Sequence, residues 1–436
     1  MTEGRPLPFD MPPVEPPAFP AHTFDVRDFG AVGGGTTSNT QAFQRAIEVC
    51  HREGGGLVLI PAGTWATGPI HLRSNVNLRL EKDALVRFSK RFSDYLPVVF
   101  TRWEGVECYN YSPLIYARDC ENIGVTGEGT FDGQGEAWWH WKKLQQAAAK
   151  TLYDAEFDGV PVEKRVCGTE EAALRPQFLQ PINCRNVLIE GVTFLNGPMW
   201  TMHPVYCEDV LVRRVTVKTK GPNTDGLNPD SCRNVIVEDC SFSTGDDCIA
   251  INSGMNEDGW RVGRPCENIV IHKCCMSEGH GAVAIGSGMS GGVRNVYVHD
   301  CHFTGGDQGV RLKSMRGRGG IVENVHFENI RMAGLRREAI VLNLFYGSTT
   351  VAPKSDAPPV FRNIHIKNVT CESAGVAVAI RGLPEQRISR VVLEDLHLNA
   401  VKGIRCQDID DLLLSDVSGV VEERPLFSCS NVQGLN

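Results

Sequence analysis

Nowhere in the 436 residues does an apolar run approach the roughly 20 residues that a membrane-spanning helix needs. The opening stretch "MTEGRPLPFD" also lacks the charged and apolar regions of a secretory signal. The expectation is a soluble cytoplasmic protein, or a secreted or periplasmic one if a signal has been removed. Excess positive charge is missing too: 44 Lys and Arg stand against 52 Asp and Glu, a net charge of -8. Neither nucleic acid nor an anionic membrane is favoured as a partner, and an acidic substrate would need a local basic patch. The paired CxxC spacing of a zinc site is absent, as are leucine-rich and propeller signatures.

An internal repeat is present. "CRNVIVEDCSFSTGD" from Cys232, "CENIVIHKCCMSEGH" from Cys266 and "VRNVYVHDCHFTGGD" from Val293 align without a gap. Weaker copies start at Cys120, Cys184, Cys207, Val322, Phe361 and Ile388. Each copy alternates β-branched residues with polar ones and is broken by Asn, Asp and Gly, the pattern of short strands joined by turns. One such coil cannot bury its own apolar face, so coils must stack. The expected fold is all-β, a single-domain parallel β-helix over residues 23–436 with coils about 4.8 Å apart. The proline-rich residues 1–22 precede it as an extended arm lying on the body. Of the sixteen cysteines, Cys232 with Cys266, and Cys240 with Cys274 and Cys301, fall at equivalent repeat positions. They are expected to stack inside as small apolar residues, with disulfides as the lesser alternative.

The repeat also aligns polar residues. Its fifteenth position holds Asp246, His280 and Asp307, each after a glycine. "GPNTDG" brings Asn223 and Asp225 to a turn one coil earlier, and "GVRLKS" places Arg311 and Lys313 on one strand face. Each motif alone has an ordinary explanation: Asp and Asn suit turns, an isolated histidine is often solvated, and two cations can be an exposed face. Asp307 is left with that explanation. For the others, convergence of unlike charges on one stripe favours a site. A carboxyl group kept protonated by a like-charged neighbour, as Asp247 could do for Asp246, can donate to a leaving oxygen. A second carboxylate can activate water or attack the sugar, and cations can hold a substrate carboxylate. This chemistry fits cleavage of an acetal in an anionic sugar, and spacing alone leaves retention or inversion open.

At these residues the chain resembles the polygalacturonases of glycoside hydrolase family 28. The four signatures stand in order: "NTDG" at 223–226, "GDD" at 245–247, "GHG" at 279–281 and "RLK" at 311–313. "DVRDFGAVGGGTTSNTQAFQRAI" from Asp25 is similar to the opening of many pectin-active β-helices, and "GSGMSGG" at 286–292 to a segment of bacterial members. The resemblance implies a right-handed parallel β-helix that hydrolyses α-galacturonosyl bonds of pectic poly- or oligosaccharides with inversion. It implies Asp246 as general acid, Asp225 and Asp247 positioning and deprotonating the water, and His280 supporting the acid. Asn223 belongs to the first signature as a substrate-binding residue; Arg311 and Lys313 would bind uronate carboxylates and Tyr346 the substrate. No metal or cofactor is implied.

The chain departs from the bacterial pattern where Asn252 stands for a lysine, Met255 for a basic residue and Gly288 for a glutamate. A substrate with fewer carboxylates, such as rhamnogalacturonan, therefore competes with homogalacturonan. The segment Gly135 to Gln180 falls outside the repeat and contains "EAWWHWKKLQQAAAK", a helix by composition. Its Trp138, Trp139 and Trp141 either pack that helix or stack on sugars. If this insertion and the loop "GSTTVAPKSDAPP" after Tyr346 wall off one cleft end, the enzyme is exo-acting. A calcium-dependent pectate lyase and a non-catalytic carbohydrate-binding β-helix remain alternatives.

Overall fold

In the computed structural model, residues 6–347 and 356–435 are described. Two compact units appear, one of Pro13–Asp246, the other of the described residues of Met1–Pro12 and Asp247–Asn436. The chain passes between them at Pro12–Pro13 and again at Asp246–Asp247.

In Pro13–Asp246, successive copies of the repeat pair as parallel strands in the register the alignment sets: Glu121 with Arg185, Arg185 with Glu208, Glu208 with Arg233. Inward-pointing residues therefore form columns. Val58, Leu78, Val125, Ile189, Val212 and Val237 make one, and Trp65, Val86, Phe131, Phe194, Val217 and Phe242 another. All are buried, and the Phe131 and Phe194 rings stack at 5.5 Å. Each full burial contributes about 1.5–3 kcal/mol, which a lone coil forgoes. Return from one strand to the next parallel strand of the same sheet takes the right-handed sense that twisted strands favour. The helix Thr40–Arg52 covers the first coils with Phe43, Ala46, Ile47 and Cys50, the cap a solenoid end requires.

In Asp247–Asn436 the same logic gives the column Ile271, Val298, Phe327, Ile366 and Leu393. Another runs Ile249, Val283, Val310, Ile340, Val378 and Ile404. Every side chain in both is buried.

The turns explain a recurrence in the repeat. Asn at its third position, for example Asn186, Asn295 and Asn324, sits at φ of 55° to 58°, a left-handed conformation that Asn tolerates better than most residues. Each amide then donates to the next in line: Asn186 Nδ2 to Asn122 Oδ1 at 2.8 Å, Asn295 to Asn268 at 3.0 Å, Asn324 to Asn295 at 3.2 Å. The cysteines follow the packing expectation. All sixteen are free thiols and thirteen are buried. Cys207 and Cys232 donate to the Pro181 and Pro204 carbonyls, and burial drives the Cys207 thiol far above its ordinary value.

Residues 6–22 carry no helix or strand. Val14 is buried, and a Cβ on Gly124 would come within 3.0 Å of the Phe19 ring, so residues 13–22 pack on their own unit. The insertion folds into helices Trp141–Leu144 and Gln146–Phe157. Trp138 and Trp141 pack among Phe92 and Tyr111, the packing alternative of the two weighed above. Much of the loop after Tyr346 lies outside the described residues.

Candidate active site

Within Pro13–Asp246, the pairing of Lys218 with Ser243 sets the turn of Asn223 and Asp225 one coil before that of Asp246. Asn223, at φ 55°, reaches across with Nδ2 3.5 Å from Asp246 Oδ2. Asp225 is buried and accepts from Asn228 Nδ2 at 2.8 Å; Asp246 is half-buried. Carboxylate oxygens of Asp225 and Asp246 lie within 4.8 Å of each other. The Thr244 hydroxyl donates to the Asp246 carbonyl at 2.6 Å, tying down the backbone that carries the carboxyl group. Gly245 is required by a close approach: a Cβ there would sit 2.1 Å from the Gly221 carbonyl.

Two further groups, not singled out from sequence as site residues, hold this turn, and both come from the insertion. Fully buried Arg175 donates to the Pro198 and Pro222 carbonyls at 3.1 and 2.6 Å and to Asn223 Oδ1 at 2.8 Å. Burial lowers its guanidinium to about 10, against the opposing charges of Glu104 and Asp246. Trp139 donates to the Gly197 carbonyl at 3.0 Å, and its ring lies so close to Gly221 that a Cβ would meet it at 2.2 Å. Trp139 therefore braces the turn before Asn223, whereas its two neighbours are core. A tryptophan beside two others carries no sequence signal for that difference.

Within Asp247–Asn436, Arg311 and Lys313 do share a face. Arg311 Nη1 donates to Asp247 Oδ1 at 2.7 Å and Lys313 Nζ to Asp247 Oδ2 at 2.6 Å. The cations expected to hold substrate carboxylates are thus already bonded to a protein carboxylate, and the negative charge of Asp247 is offset rather than simply set against Asp246. Gly281 explains the second glycine of "GHG": a Cβ would lie 2.7 Å from Asp247 Oδ1 and 2.9 Å from Arg311 Cδ. His280 precedes it, exposed at the start of the strand Gly281–Ile285. Tyr346 presents its ring 5.2 Å from Lys313 Nζ and 5.8 Å from the Arg311 guanidinium, beside a cavity of about 360 Å³ that these three residues line. Asp307 is bonded by Arg336 at 2.8 Å, in keeping with its assignment away from the site.

Residues 58–418 match the family described as Glycosyl hydrolases family 28. The chain belongs to that family. A shorter segment, residues 23–79, matches the family described as Rhamnogalacturonase A/epimerase, pectate lyase-like, which covers the opening stretch singled out above. Among relatives, a probable polygalacturonase from Vitis vinifera is 32% identical over 412 residues, 90% of this chain and 78% of that protein. An exo-poly-alpha-D-galacturonosidase from Dickeya chrysanthemi is 27% identical, over 89% of this chain and 69% of that one. The solved structure of a hyperthermoactive exopolygalacturonase from Thermotoga maritima is 37% identical, with a TM-score of 0.85 over 97% of this chain and 94% of that one. The expected right-handed parallel β-helix is the fold of this family 28 chain.

Two departures from the bacterial pattern now read differently. Asn252 is buried, donating to the Ala250 carbonyl at 3.1 Å, and a Cβ on Gly288 would lie 3.7 Å from its Oδ1. The positions expected to hold a lysine and a glutamate are neighbours. Losing both removes opposite charges together, so the argument from lost cations keeps only Met255, which precedes the helix Asn256–Val262.

Proposed function

We propose that this family 28 chain hydrolyses α-galacturonosyl bonds of homogalacturonan chains and oligomers, releasing galacturonate from chain ends. The observation that carries the reading is the Asp225–Asp246 pair, two carboxyl groups within 4.8 Å in unlike surroundings, one buried and one half-open. In the proposed reaction Asp246 gives its proton to the glycosidic oxygen as the bond to the anomeric carbon breaks. Water adds to that carbon, and its proton passes to Asp225 or Asp247. His280 hydrogen-bonds in support of the acid, while Asn223, Arg311, Lys313 and Tyr346 bind the sugar, the cations through its carboxylate.

Release from chain ends is supported by the exo-acting relatives and by the insertion, whose Arg175 and Trp139 are built directly onto the Asn223 turn. Incubation with galacturonan oligomers and rhamnogalacturonan oligomers in parallel, followed by chromatography, tests this. Galacturonate should appear alone from the first minutes on the former. Mixed oligomers at that stage would defeat the exo proposal, and turnover confined to rhamnogalacturonan would defeat the substrate.

Inversion is part of the proposal, with water reaching the anomeric carbon from the face opposite the leaving oxygen. Proton NMR of the first product decides it: the β-anomer is expected, and the α-anomer would overturn inversion.

A further inference from the structure

The outward face of the strand that carries Arg311 and Lys313 continues through the last coils. Lys313 pairs with Asn343, Asn343 with Arg381, Arg381 with Gln407 and Gln407 with Ser430. The neighbouring outward column runs Arg311, Val341, Ala379, Arg405 and Ser428. At about 4.8 Å per coil, Arg381 lies about 10 Å and Arg405 about 14 Å beyond the cations of the "RLK" motif. A second cavity, of about 620 Å³, sits over these coils, lined by Asn343, Arg381, Arg405, Gln407, Ser428 and Ser430. It shares Val341 and Asn343 with the cavity beside Tyr346, so the two adjoin.

Position in the cavity and charge pairing together mark out the two arginines. Arg316 is bonded to Glu385 at 2.9 Å, Arg362 to Glu323 at 2.7 Å and Arg387 to Asp410 at 2.7 Å. Among the described residues Arg381 and Arg405 hold no such carboxylate. Arg381 instead lies over the Phe345 ring, its guanidinium carbon 3.9 Å from the centroid, a cation–π contact that restricts its position. Arg405 is exposed. Glu338, the carboxylate in the lining of this cavity, accepts from Gln308 rather than from either arginine, so the two cations, beside Ser428 and Ser430, are arranged for an external carboxylate; guanidinium groups bind carboxylates through paired hydrogen bonds.

We propose that Arg381 and Arg405 form a distal uronate-binding site, which engages sugars of an acidic oligosaccharide beyond the one held by Arg311 and Lys313. The site makes the protein sensitive to substrate length. This rests on the galacturonan reading, and the test separates the two.

Steady-state kinetics on di-, tri- and tetragalacturonate would be compared for the native protein, Arg405→Gln and the Arg381→Gln/Arg405→Gln double variant. Native kcat/KM should rise with length. Arg405→Gln should lower it roughly tenfold on tetragalacturonate while leaving digalacturonate unchanged, the size expected from losing a charged hydrogen bond. Arg405 is exposed, so that single variant tests the site even if the double variant fails to fold. No change at any length, or an equal loss at every length, overturns the proposal. If the native protein cleaves none of the three, the galacturonan reading fails instead. Calorimetry then reads the site directly: tetragalacturonate should bind the native protein about tenfold more tightly than Arg405→Gln, and equal affinities would overturn it.

Discussion

The two units set their candidate functional side chains in different surroundings. In Pro13–Asp246 an asparagine amide reaches Asp246, another donates to Asp225, and a threonine hydroxyl donates to the Asp246 backbone. Buried Arg175 donates to two carbonyls and to the side-chain oxygens of Gln145 and Asn223. In Asp247–Asn436 the fixing is ionic, with both oxygens of Asp247 bonded to cations and Gly281 leaving them room. In the proposed reaction, the cations that bind a substrate carboxylate are held in place by an internal one until it arrives.

The sharpest break of that comparison is removal of the acid. Asp246→Asn should lower kcat by about 10³-fold with no change in melting temperature, the range general acids supply; turnover left intact on every substrate would take the role from Asp246. Arg175→Met strands the carbonyls of Pro198 and Pro222 and the side chain of Asn223, and should destabilise the protein by about 3 kcal/mol in urea unfolding. An unaltered midpoint would show that the Asn223 turn does not depend on it. Lys313→Met leaves Asp247 with Arg311 alone and should cut kcat/KM by roughly 10²-fold, mostly through KM. A loss in kcat alone would mean that its bond to Asp247, rather than to substrate, is what matters.

Smaller effects probe the scaffold. Asn324→Ala places a residue without a side-chain amide at φ 56° and removes two 3.2 Å ladder bonds, to Asn295 and from Asn363, for about 1–2 kcal/mol. Acid should weaken the protein gently through His203, which is fully buried against Asp230 and Gln180. Burial holds this imidazole below its ordinary value, outweighing Asp230. The folded state therefore binds fewer protons than the unfolded one just below pH ~6.5, so stability is complete above that pH and declines as pH falls toward the folded value. His203→Gln should flatten the decline of melting temperature in that window; an unchanged slope would assign it to other groups.

Much of this was open to reading in one sequence because a solenoid maps repeat position directly onto space. Aligning "CRNV" with "CEDV" is the same act as pairing Arg185 with Glu208, so strand register, buried columns and the free cysteines all followed from the repeat. The shared face of Arg311 and Lys313 followed from strand alternation. Arg175, Trp139 and Gly281 were beyond that reach. The first two lie in the insertion, outside any repeat, and the third acts only through the space it leaves.

The family, the parallel β-helix and the order of the candidate catalytic residues were legible in the chain, since local alternation and in-register stacking need no long-range information. Packing in three dimensions set both oxygens of Asp247 against two cations, made positions 252 and 288 neighbours, and left Arg381 and Arg405 without a carboxylate partner among the described residues. Which charges meet depends on side chains tens of residues apart, and a one-dimensional pattern does not carry the distance between them.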